Sequence, residues 1–198
     1  MSQGLLIAFE GLDQSGKQTQ AERLRDHLAT QGQEAELLSF PDYTTAIGAE
    51  ISKALHGERE YGPDVMQLLY VANRYERRPE IERRLASGAV LICDRYLASS
   101  VAYGEAHGLD PGWLLEMQRW LPQPDLTILL DIAPETAAGR KTSGRDRYER
   151  DLQMLSRVRS SYRRLAASPG WLRLDGERSP DVVSADVIAA VATRLVPR

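Results

Sequence analysis

Apolar residues along this 198-residue chain fall into two rhythms. Apolar runs at 5–9 and 89–93, the latter suiting a strand buried on both faces, and the mostly apolar segment 126–132 predict three strands. Two further segments, 34–40 with Leu37, Leu38 and Phe40, and 171–174, predict a second and a fifth strand. Between the runs, apolar residues recur at helical spacing. Ala21, Leu24 and Leu28 mark a helix from Lys17 to about Gln31, ended by Gly32. Thr44 or Thr45 is placed to cap a helix through Leu55, which His56-Gly57 closes. Val65, Leu68, Leu69 and Ala72 stripe a helical region from 63 towards 87, which Pro79 is expected to kink or divide. Residues 97–103 read as a polar and aromatic stretch, 104–108 as a turn, and 111–121 as a short helix. Pro134 opens another helix, 140–150 is a charged segment, 151 to about 167 is helical, and an amphipathic helix closes the chain over 180–195. Strands alternating with helices predict a parallel sheet covered on both sides, with ligands at the carboxyl ends of its strands.

The first strand runs directly into Gly11-Leu12-Asp13-Gln14-Ser15-Gly16-Lys17, and a helical pattern comes next. Strand, glycine-rich turn and helix together build an anion site. Glycines let backbone N–H groups curl around a phosphate, and the helix N-terminus adds partial positive charge. Lys17 is spaced to reach the outer phosphates of a triphosphate. The expected fold class is therefore α/β, a three-layer P-loop NTPase fold with a five-stranded parallel sheet flanked by helices. One domain over 1–198, with a short lid at about 140–150, accommodates the whole chain. At one position the loop departs from the usual form. Gln18 stands where a Ser or Thr hydroxyl commonly holds Mg²⁺, with Thr19 next. Thr19 does not simply inherit that task, because adjacent helical positions point about 100° apart.

Composition changes this picture little. A net charge of −3 and 27% charged residues give no reason to expect nucleic-acid binding. The single cysteine, Cys93, excludes an internal disulfide, and its apolar run suits a small buried side chain better than a reactive thiol. Residues 1–4 carry no basic region, the apolar run after them is too short for a signal peptide, and no stretch approaches a membrane span. The expected compartment is the cytoplasm.

Other polar motifs fall where strands end. Asp94 directly succeeds the third apolar run, where it can hold Mg²⁺ beside the loop or cap the next segment. Asp13 can cap the loop internally or approach the transferring phosphoryl group and its metal. Tyr70 and Arg74 lie one helical turn apart, so ring and guanidinium can meet a base together; a core tyrosine beside a snorkelling arginine is the alternative. Arg140, Lys141, Arg145 and Arg147 surround Gly144, either as a solvated loop or as a lid whose cations stabilise a moving phosphoryl group.

With Asp94-Arg95-Tyr96 set beside the loop and this cation cluster, the chain resembles the thymidylate kinases over nearly its whole length. The resemblance rests on Phe9-Glu10-Gly11-Leu12-Asp13 leading into Gly16-Lys17, on Phe40-Pro41, and on Leu69-Tyr70-Val71-Ala72-Asn73-Arg74. Asp94-Arg95-Tyr96, Leu121-Pro122-Gln123-Pro124-Asp125-Leu126 and Arg147-Tyr148-Glu149 continue it. It implies transfer of the ATP γ-phosphoryl group to dTMP with Mg²⁺, by a homodimer. It implies ATP contacts from Gly11, Leu12, Asp13, Gln14, Ser15, Gly16, Lys17, Gln18, Thr19, Arg140 and Arg147. Tyr70 stands where an aromatic ring stacks on thymine, Arg74 where an arginine meets its carbonyl, and Ser99 and Ser100 where a polar side chain meets the base. Arg95 matches the arginine on the acceptor phosphate, Tyr103 the aromatic beside the sugar, and Asp13 a carboxylate near the 3′-hydroxyl and phosphates. No histidine base is needed, because a phosphate monoester is already mostly dianionic at neutral pH.

The family's pattern is broken at three places. Gln14 stands where some members carry a loop arginine, which moves the expected catalytic arginine to the lid, with Arg145 the foremost candidate. Tyr43 lies where members often have an arginine, and offers the acceptor phosphate only a hydroxyl. Gln18 leaves Mg²⁺ to phosphates, water and Asp94. Rival readings are another nucleoside monophosphate or deoxynucleoside kinase, or a non-catalytic P-loop nucleotide sensor. A GTPase switch is disfavoured because no Asn-Lys-x-Asp occurs.

Overall fold

Five short apolar runs become the strands β1 (Leu5–Glu10), β2 (Ala35–Ser39), β3 (Val90–Asp94), β4 (Leu126–Asp131) and β5 (Trp171–Asp175) of a computed structural model that describes residues 4–140 and 151–195. They form one parallel sheet in the order β2-β3-β1-β4-β5. The central strands β1, β3 and β4 are almost wholly buried, which is why their sequences are mostly apolar, with carboxylates at their carboxyl ends. Helices connect them: α1 (Lys17–Thr30), α2 (Ala46–Leu55), α3 (Pro63–Ala86), α4 (Leu97–Ala106), α5 (Pro111–Glu116), α6 (Pro134–Arg140), α7 (Leu152–Leu165) and α8 (Pro180–Leu195).

On one face of the sheet, Ala21, Leu24 and Leu28 of α1 and Val183, Val187 and Val191 of α8 pack against Ile7, Phe9 and Ile128. Each of the buried leucines, valines and isoleucines contributes about 1.5–3 kcal/mol relative to exposure. On the other face Met154, Leu155, Val158 and Tyr162 of α7 cover Leu129, while Ile81 of α3 packs with Leu6, Leu91 and Cys93. Cys93 is fully buried, and burial holds its thiol far above the ordinary range, so it serves as core.

Three expectations from sequence are corrected. Of the kink or division expected at Pro79, the division does not occur: α3, 24 residues from Pro63 to Ala86, runs through it. The stretch after Tyr96 is helix α4 rather than irregular chain plus a turn, and it includes Gly104. A Cβ there would lie 2.6 Å from Leu114 Cδ1, so the glycine lets Leu114 pack closely against α4. The helix from Pro111 ends at Glu116 rather than at Leu121, with Asp110 capping its start by accepting from Trp113 N at 2.7 Å.

Strand register brings the ends of the two central strands together. Phe9 is paired with Asp94 across β1 and β3, so the residues that end both strands open onto one side of the sheet. The phosphate loop and Arg95 therefore start as neighbours.

Candidate active site

Glu10 ends β1, and Gly11 turns the chain at φ 143°, where a side chain would be strained. A Cβ on Gly11 would also lie 2.5 Å from the Leu130 carbonyl oxygen, so the loop lies directly against β4. Gln14 adopts a left-handed φ of 62°, and Gly16, at φ 94°, precedes the first turn of α1. Leu12, Ser15 and Lys17 are buried, whereas Gln14, Gln18 and Thr19 are exposed at the mouth. Lys17 Nζ donates to the Leu12 carbonyl at 2.9 Å. Burial, and then the charge of Arg95, pull its ammonium down to about 8 against the opposing pull of Asp13, Asp94 and Glu10. A phosphate would reverse that balance. Gln18 turns along the helix and donates to Glu22 at 2.9 Å. Arg140, at the end of α6, donates to the Gln14 carbonyl at 3.0 Å and to the Gly176 carbonyl at 3.1 Å, which ties the loop to the β5–α8 turn.

Arg95 succeeds β3 at φ 64°, a left-handed conformation rare for a large side chain, fixed by its N–H bond to the Phe9 carbonyl at 2.9 Å. The guanidinium then reaches across the cleft. It donates to Asp13 Oδ1 at 2.7 Å, Ser99 Oγ at 3.1 Å, Tyr103 Oη at 3.2 Å and Tyr162 Oη at 3.3 Å, and lies over the Tyr103 ring at 5.2 Å. Burial disfavours its charge, but Asp13, Tyr103 and Tyr162 outweigh that effect and hold its pKa well above the ordinary value. Asp94 ends β3 beside the same cleft, and its Oδ1 is buried without a hydrogen-bond partner among the described residues.

Farther in, α3 supplies Tyr70 and Arg74, which line a pocket with Phe40, Tyr43, Ser99, Ser100 and Tyr103. Arg74 is buried and donates to Ser100 Oγ at 2.8 Å, the Tyr70 carbonyl at 3.3 Å and Gln118 Oε1 at 3.4 Å, while lying 5.9 Å from the Phe40 ring centre. Ser99 and Ser100 thus hold the two arginines in place as well as lining the pocket. Tyr43 is 51% exposed at the rim and lines both the inner pocket and the phosphate cleft. Arg145 and Arg147 lie outside the described residues.

Four supporting residues were not singled out from sequence. Glu10 is fully buried and accepts from Tyr96 N at 2.9 Å, Ser99 N at 3.2 Å, Ser99 Oγ at 2.6 Å and Tyr162 Oη at 2.9 Å. The signal was a carboxylate ending an otherwise apolar strand. Tyr162 continues the apolar stripe of α7, and burial, then Glu10, hold its phenol protonated as a donor. Asn73 accepts from Asp42 N at 2.8 Å and donates to the Asp42 carbonyl at 3.1 Å and Thr45 Oγ1 at 2.8 Å, so it positions the segment bearing Tyr43. Gln118 accepts from Arg74 and donates to the Leu114 carbonyl at 2.9 Å.

The phosphate cleft and the inner pocket are one continuous groove. Asp13, Phe40, Pro41, Tyr43 and Arg95 line both parts. One end is built for a polyphosphate, the other for a flat ring on an aromatic and guanidinium wall.

The thymidylate kinase family model matches residues 9–187. Thymidylate kinase of Schizosaccharomyces pombe is 42% identical over 83% of this chain and 78% of that protein. Human thymidylate kinase is 33% identical over 93% of this chain and 88% of its own length. The solved structure of Candida albicans thymidylate kinase superposes with a TM-score of 0.87 at 31% identity, covering 98% of this chain and 93% of that one.

Proposed function

The chain belongs to the thymidylate kinase family and its activity is that of a dTMP kinase; from that premise we propose how its residues carry the γ-phosphoryl group of ATP to dTMP, giving ADP and dTDP. The observation that carries the reading is the shared wall of the groove. Asp13 and Arg95 stand where its two ends meet, which is where one phosphate must pass to another.

ATP takes the loop end. The backbone N–H groups of residues 11–17 and the start of α1 hold its phosphates, with Lys17 on the outer ones, and Gln18, Thr19 and Arg140 border the mouth. dTMP takes the inner pocket, with thymine on Tyr70, its carbonyl on Arg74, the sugar beside Tyr103, and the acceptor phosphate on Arg95, with Tyr43 near it. Ser99 and Ser100 line the base side. Asp13 holds Arg95 in position and faces the sugar and phosphates. No side-chain base is required, so these groups act by aligning acceptor oxygen and γ-phosphorus and by neutralising charge. Arg145 of the lid supplies the cation that bears on the transferring group, with Arg140 and Arg147 on the donor.

Mg²⁺ fits the site, since the unpartnered Asp94 Oδ1 is an oxygen in need of a donor or cation beside the loop. Among the described residues no group of three or more His, Cys, Asp or Glu side chains gathers into a cage. That suits a hard ion held mainly by phosphates and water, which when bound offsets phosphate charge. We read the protein as a cytoplasmic homodimer of one-domain subunits, with Val65 and Leu68 exposed on α3 supporting an apolar interface there. Among the described residues no helix is long and apolar enough to cross a membrane.

Turnover of dTMP, dUMP, dCMP, AMP and thymidine side by side, with ADP release as readout, tests the reading. dTMP is expected to lead. Use of thymidine without dTMP would replace it with a nucleoside kinase, and ATP binding without any dTMP-dependent ADP release would replace it with a sensor.

A further inference from the structure

One polar group in the acceptor pocket has no role in phosphate transfer or base stacking. Gln67 lies on α3 three residues before Tyr70 and seven before Arg74, so the three side chains share one face of the helix, and all three line the inner pocket. Gln67 is only 3% exposed, and its Oε1 has no hydrogen-bond partner among the described residues. A buried amide oxygen left unpaired is destabilising, and native interiors rarely tolerate one without a purpose. The same pocket holds a second such atom of opposite sense, Arg74 Nε, a buried donor without an acceptor. An acceptor and a donor left open on one helical face are complementary to a ring that carries an N–H beside a carbonyl. A dioxopyrimidine has that edge. Its imide N–H is the one donor on the ring when the sugar occupies the other nitrogen.

We propose that Gln67 is a specificity-determining residue of the acceptor pocket, its side-chain carbonyl accepting the imide N–H of the bound dioxopyrimidine while the Arg74 guanidinium takes the adjacent carbonyl. The inference rests on the dTMP kinase reading and deepens it. In the free protein the oxygen has no protein partner among the described residues, and a base that fills the pocket brings one. Cytosine carries a lone pair where the imide N–H stands. Its amino group also stands where Arg74, a donor only, meets a carbonyl, so Gln67 and Arg74 together favour dTMP and dUMP over dCMP.

The test uses the full chain with Gln67→Leu and, should that variant fold poorly, the unbranched Gln67→Met. Steady-state kinetics at saturating ATP with dTMP, dUMP and dCMP are combined with thermal unfolding, with and without dTMP. KM for dTMP and dUMP is expected to rise about tenfold, the value of one hydrogen bond to a buried group, with kcat held within about twofold and KM for dCMP unmoved. The ligand-free variants are expected to melt higher than wild type, because the unpaired oxygen is gone, and to gain less from added dTMP. Unchanged KM for dTMP in a folded variant would overturn the proposal, as would an equal rise for dCMP. A lower melting temperature in both ligand-free variants would show that Gln67 serves the fold instead. Wild-type protein that ignores dTMP altogether would sink the underlying kinase reading and the inference with it.

Discussion

Arg95 Nη2 lies 2.7 Å from Asp13 Oδ1, so the residue after β3 and the phosphate loop after β1 are joined by an ion pair at the centre of the groove. The pair is largely sheltered, and its arginine also spans Ser99, Tyr103 and Tyr162. A lysine cannot reproduce that planar set of donors. Arg95→Lys is expected to raise KM for dTMP by about 10–100-fold, the equivalent of one or two charge-assisted hydrogen bonds. Steady-state kinetics at saturating ATP checks this. A KM within about twofold of wild type would remove Arg95 from the acceptor phosphate.

Lys17 gives a pH signature. Its folded pKa of about 8 lies below the ordinary value of 10.5, so the unfolded chain binds the proton more tightly. The resulting penalty on folding is full below about pH 8 and fades as pH rises towards 10.5. Lys17→Met is therefore expected to stabilise the nucleotide-free protein at pH 7 by on the order of 3 kcal/mol, while abolishing turnover. Urea unfolding at pH 7 and pH 10 reads the difference, which should shrink at the higher pH. A gap that is flat or widens with pH would show that the buried ammonium is not its source.

Tyr162 links α7 to Glu10 and Arg95. Tyr162→Phe keeps the ring in its cluster but leaves Glu10 Oε2 with Ser99 as its remaining partner. A loss of about 1–3 kcal/mol in unfolding free energy is expected, with a modest rise in KM for dTMP as Arg95 slackens. Denaturant unfolding beside kinetics checks both, and an unperturbed stability would mean that the Glu10 network tolerates the missing donor.

Arg145 is expected to act on the transition state. Arg145→Ala should lower kcat by roughly 10²–10³-fold while leaving KM for dTMP near wild type. Single-turnover measurements separate the chemical step from product release. Loss of dTMP affinity with kcat intact would move Arg145 to acceptor binding, and an unaffected variant would pass the role to Arg140 or Arg147.

Much of this protein was legible from local sequence because its information is local. A strand buried on both faces is mostly apolar, and a phosphate loop needs its glycines and lysine at fixed spacing, so β1, β3, β4 and Gly11 to Lys17 announced themselves. The helices at 17–30, 63–86 and 180–195 were legible for the same reason, through their stripes and stops. What sequence could not decide were choices made by distant partners. Gly104 sits inside a helix because Leu114 occupies the space of its missing side chain, and local reading took it for a turn. Glu10 looked like the end of a strand until Tyr96, Ser99 and Tyr162, from two other helices and a loop, supplied its hydrogen bonds. Gln67 looked like one more polar residue on a helix until burial left its oxygen without a partner. Sequence by itself determined the alternation of strands and helices and the phosphate site. The tertiary structure alone decided which buried polar groups are satisfied and which still wait for a ligand, because a hydrogen bond depends on distance in space and not on separation along the chain.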